Sequence, residues 1–81
     1  MKTYVFRVVV EPDEDRWAAY CPVLLRQGGA TWGYTPDEAL ENIRKVVQMT
    51  LESMQEHGEP IPEEPETEVR IFHQPQVAVT I

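Results

Sequence analysis

The stretch GYTPDEALENI, residues 33–43, decides how the chain is read. Thr35 is a good N-cap, and Pro36 suits the first helical position with its preset φ. Glu38 stands three residues after the cap, where its carboxylate can reach back to the Thr35 amide as a capping box. Asp37 and Glu38 also put negative charge at the positive end of the helix dipole. From there Leu40, Ile43, Val47, Thr50 or Leu51, and Met54 recur at spacings of three and four, and Ala39 and Val46 widen the same stripe. Glu41, Arg44, Lys45, Gln48, Glu52 and Gln55 fall on the opposite, wet side. His57 supplies a basic last turn and Gly58 a left-handed stop, so the pattern predicts a helix over 36–57.

Upstream, TYVFRVVV at 3–10 is rich in β-branched and aromatic residues and reads as a strand. Glu11-Pro12-Asp13-Glu14-Asp15 reads as a polar turn, and Arg16 to Cys21 as a second strand paired with the first in a hairpin. Pro22 ends that strand, residues 23–29 form an irregular link, and Ala30 to Gly33 make a short third strand. Downstream, EPIPEEPE at 59–66 holds three prolines and four glutamates and predicts an extended, stiff connection. Residues 67–72 and 77–81 are strand-like again, with a break at Pro75. The order β-β-β-α-β predicts an α+β domain, a small antiparallel sheet with one long helix on one face. Its other face is left bare and apolar, which calls for a partner.

A chain of 81 residues forms one domain, 1–81, too short to divide its core in two. At 42% apolar and 26% charged it is globular, not disordered. A domain this small buries only about 60% of its unfolded surface, so self-association to a dimer or tetramer is expected. Fourteen acids against seven bases give a net charge of −7, the reverse of what a phosphate backbone selects, and direct nucleic-acid binding is not expected. The same excess would steer in a cationic partner. One cysteine, Cys21, excludes an internal disulfide and a thiolate metal cage, and a reducing cytoplasm fits. No apolar run approaches the roughly 20 residues of a membrane span, and no signal segment precedes the first strand.

Chemistry is hard to find. His57 and His73 lack ligand spacing, and Cys21 has no base beside it; they read as a helix C-terminal cation, an exposed residue and a half-buried strand residue. The acidic turn has no central glycine or terminal bidentate glutamate at calcium-loop spacing. No catalytic residue, metal site or cofactor is therefore expected. Tyr4, Trp17, Tyr20, Trp32 and Tyr34 lack the basic groove of a base-stacking surface; they read as core packing mixed with anchors for a protein interface.

The run from Tyr20 to Pro62 resembles the HicB-like antitoxin family. The resemblance lies in a strand ended by Pro22, a glycine and short strand, the helix start Gly33, Thr35, Glu38, Ala39 and Leu40, and a helix closed by HGEPIP at 57–62. It implies a partly reduced ribonuclease-H-like fold without catalytic acids, acting as an antitoxin that sequesters a small basic HicA-like ribonuclease toxin. The candidate partner-binding residues are Glu11, Asp13, Glu14 and Asp15 in the turn and Glu63 and Glu64 in the linker. Thr35 and Glu38 have the structural role of capping the helix. Family members often carry a DNA-binding helix-turn-helix or ribbon-helix-helix after this domain, for which the chain has no room. The alternative is an orphan domain that only homo-oligomerises and has some other regulatory or ligand-binding role.

Overall fold

Residues 3–13 form one extended run whose two halves pair with different partners. In the computed structural model, which describes residues 2–62 and 75–81, β1 (Thr3–Arg7) pairs antiparallel with β5 (Gln76–Thr80), and β2 (Val9–Asp13) pairs with β3 (Arg16–Tyr20). β3 then pairs with β4 (Ala30–Gly33), giving the ladders β1-β5 and β2-β3-β4. Val8 is the join, and side-chain alternation passes through it unbroken. Tyr4, Phe6, Val8 and Val10 turn inward, while Thr3, Val5, Glu11 and Asp13 turn out. The amides of Lys2 and Val8 donate to Ile81 and Pro75, so the even-numbered residues direct their backbone groups towards β5. Pro12 is also even and has no amide to give, which is how a proline is accommodated inside this strand.

That pairing corrects the expected turn. Glu11, Pro12 and Asp13 are strand, and only Glu14 and Asp15 form the loop, closing on Asp13 opposite Arg16. A two-residue hairpin loop demands a positive φ, and Glu14 supplies it at 57° although it is not glycine. No Asn-Gly or Asp-Gly marks so tight a turn, so the longer polar run reads as the loop. The link after Pro22 is also more regular than expected. Pro22–Gln27 is a 3-10 helix, with Cys21 as its N-cap and fully buried rather than half-buried.

Between β4 and β5 lies α1 (Pro36–Glu56), which ends one residue short of the predicted 57 because His57 is its C-cap. The Glu38 amide donates to Thr35 Oγ1 at 3.0 Å. The Glu38 carboxylate reaches back one residue further than a standard box and accepts from the Tyr34 amide, not that of Thr35. Thr35→Ala is expected to lower stability by about 1 kcal/mol in denaturant titration, whereas Thr35→Ser should stay near wild type. At the other end Gly58, at φ 69°, donates to Gln55 O while Glu59 donates to Met54 O. These two bonds make a Schellman stop.

Ala39, Ile43, Val47, Leu51 and Met54 form the buried stripe of α1, and Leu40 and Val46 sit half-buried beside it. They close on Phe6, Val8, Ala19, Cys21, Leu24, Val77 and Val79 in one core. The helix therefore covers one face of an antiparallel α+β domain. The linker beyond Pro62, the expected strand at 67–72, and Glu63, Glu64 and His73 lie outside the described residues.

Candidate functional site

Gly33 orients the outer face. A Cβ there would lie 2.5 Å from the Ala39 amide nitrogen, so this position points at the first turn of α1. Strand alternation then sends its neighbours Trp32 and Tyr34 to the opposite side, which no described element covers. The pairings place Glu11, Ala18 and Trp32 in one cross-strand row on that side, and Asp13 and Arg16 in the next. One step beyond the Trp17–Gly33 pair, Tyr34 continues the second row.

These rows bring an aromatic pair and a cation together. Trp32 and Tyr34 meet edge to face, with centroids 5.1 Å apart and planes at 85°. The Arg16 guanidinium lies 5.0 Å from the centre of the Trp32 ring. It also faces Asp13, with Nε 3.7 Å from the carboxylate. Both rings are nevertheless open to solvent, Trp32 at 41% and Tyr34 at 69%. The bare face continues towards β1 and β5 through half-buried Val9 and Tyr20 and exposed Val5.

Acidic groups surround this cluster. Glu11 and Asp13 stand on the same face as Trp32, and Glu14 and Asp15 form the loop beside Asp13. Glu38, bonded to the Tyr34 amide, stands in the first turn of the helix with its neighbour Asp37. The four hairpin acids are thus gathered at one end of the sheet. The linker pair Glu63 and Glu64 cannot be compared with them, lying outside the described residues. Acids further along the helix are engaged differently. A hydrogen bond from Arg44, 2.6 Å away, holds the Glu41 carboxyl below its ordinary value, and the same contact raises Arg44. The stabilisation from a lowered carboxyl is present above its unfolded pKa and lost as pH falls through the folded one. Both side chains are about half open to solvent, and the pair is a solvated helix contact.

The other sequence candidates are dispersed. Tyr4 stacks on Phe6 and Trp17 packs against the core, so these rings serve packing, as half of the expectation had it. The His57 ring bonds the Ser53 carbonyl at 2.7 Å, a helix-end role. Among the described residues no group of three or more His, Cys, Asp or Glu is placed to hold a metal ion, and no helix is long and apolar enough to cross a membrane. An open groove of about 700 Å³ separates the 3-10 segment from α1, lined by Arg26, Val46, Met49, Thr50 and Ser53. The convergence of Arg16, Trp32 and Tyr34 is what sequence reading missed. Its only trace is the alternation around Gly33, which becomes readable once that glycine is known to face the helix.

No protein-family model matches the chain, and no curated protein does. A solved structure is similar to it, the crystal structure of the N-terminal domain of the Burkholderia pseudomallei antitoxin HicB. The likeness has a TM-score of 0.66 at 21% identity and covers 95% of this chain and 96% of that one. At that coverage the similarity takes in both ladders and the helix together, so the chain has the fold of a HicB antitoxin N-terminal domain.

Proposed function

We propose that the protein is an antitoxin-like, non-catalytic binding module that sequesters a small basic toxin of the HicA-like ribonuclease kind. The observation that carries this reading is the full-length likeness of fold to an antitoxin domain. The charge distribution supports it. The net charge is −7, and Glu11, Asp13, Glu14 and Asp15 sit together at the hairpin end, where they attract a cationic protein and repel nucleic acid. These four, with Glu63 and Glu64 of the linker, are the proposed contacts. Occlusion of the toxin surface needs no chemistry from this chain, no metal and no cofactor.

The test is co-purification with the product of the neighbouring reading frame. A stable complex is expected at low salt, with an association rate that falls about tenfold or more as ionic strength rises. Absence of any complex at low salt sinks the reading. A homo-oligomeric domain with another regulatory role is the second reading, and the exposed apolar side chains Val5 and Trp32 on the uncovered sheet favour it. It would be marked by a tight dimer or tetramer in light scattering together with the absence of any toxin gene next door.

A further inference from the structure

We infer that the outer-face cluster of Trp32, Tyr34 and Arg16, with its acidic surround, is the docking surface for a cationic protein, with Trp32 as the anchor. The inference rests on the antitoxin-like reading and names the surface that reading leaves open.

Three observations converge on it. First, residue type and exposure: Trp, Tyr and Arg dominate binding energy at protein interfaces, and here all three are neighbours on a face the helix does not cover. An isolated domain gains nothing from leaving two rings this open to water. Second, the cluster is held in shape before any partner arrives. Tyr34 packs edge to face with Trp32, Arg16 lies over the Trp32 ring, Asp13 faces Arg16, and the Tyr34 backbone is tied to Glu38. Fewer rotamers are lost on docking than if these side chains moved freely.

Third, charge selects the occupant. Glu11 and Asp13 share the face of the rings, Glu14 and Asp15 form the loop beside them, and Glu38 is bonded to the Tyr34 amide, whereas the cation within the cluster, Arg16, is already faced by Asp13. A second copy laid on this end of the sheet would set carboxylates against carboxylates, and a nucleic acid would be repelled. A lysine- and arginine-bearing protein surface with an apolar recess for the indole satisfies both parts of the patch. The groove at Arg26 and Met49 has neither the ring cluster nor the acidic surround.

The experiment uses the full chain with the co-expressed product of the neighbouring reading frame, and measures dissociation constants by calorimetry. Trp32→Ala should weaken the complex about thirtyfold or more, as loss of a central anchor does. Met49→Ala, which removes another exposed apolar side chain from the groove side, should stay within about threefold. Trp32 is partly exposed and outside the core, so its variant should keep a cooperative melting transition and the far-ultraviolet circular dichroism of the wild type. The two tryptophans add an internal control. In labelled protein the Trp32 indole N–H signal should shift on binding, while that of Trp17, packed against the core, should move little. Equal affinity of wild type and Trp32→Ala, or loss of binding in Met49→Ala instead, overturns this surface and leaves the antitoxin-like reading standing. No complex with wild type overturns both. A homo-oligomer that Trp32→Ala dissolves assigns the face to a second copy and likewise overturns the proposal.

Discussion

Gly33→Ala is expected to destabilise the domain by about 3 kcal/mol, the upper part of the range for overpacking a fitted site. The added methyl would stand 2.5 Å from the Ala39 nitrogen and 2.9 Å from both the Ala39 Cα and the Glu38 carbonyl carbon. All three are backbone atoms of the first helical turn, so no side chain can swing aside. Nor can the turn itself retreat cheaply. It is joined to β4 through two residues, capped by Thr35 and tied back by the Tyr34–Glu38 bond. A domain of 81 residues has roughly 4–12 kcal/mol of total stability, so much of the margin would go. The check is a urea titration: the midpoint should fall sharply with little change in slope. A loss under about 1 kcal/mol would mean that the helix start can shift, and the packing argument would fail.

Phe6→Ala should cost about 4 kcal/mol, within the usual range for deleting a buried aromatic ring. Phe6 is 1% exposed and lies in β1 opposite Val77 of β5. Its ring stacks near that of Tyr4 at 6.3 Å, and it belongs to the same core cluster as the helix stripe Ile43, Val47 and Leu51. Removing it opens a cavity where the β1-β5 ladder meets the rest of the core. The expected result is a variant that is largely unfolded at 37 °C or loses its cooperative melting transition. Phe6→Leu retains much of the volume and should lose well under half as much. Comparable losses in the two variants would show that ring volume is not what this position supplies.

These two residues also mark how far local reading reaches. Thr35, Pro36 and Glu38 announce the helix through contacts spanning three or four residues, and Gly58 announces its end in the same way. The apolar stripe from Ala39 to Met54 follows from the 3.6-residue period alone. Gly33, by contrast, looks like an ordinary short-strand residue until Ala39 is seen against it. The hairpin shows the same limit. Glu11, Pro12 and Asp13 carry every local mark of a loop, yet cross-strand pairing with Trp17 and Ala18 and a positive φ at Glu14 make them strand. Tertiary pairing outweighs weak β propensity there.

The sequence by itself determined the element order, both helix ends to within a residue, the buried face of α1, and the acidic excess. Each of these follows from residue type and spacing within about one helical turn, or from a sum over the chain. Only the tertiary structure decided that residues 3–13 serve two ladders through Val8, that Gly33 is a close-packing position, and that Arg16, Trp32 and Tyr34 meet beside Glu11 and Asp13. The reason is that register and sidedness are set by strands pairing across long stretches of chain. A shift of one residue would turn every one of these side chains to the other face.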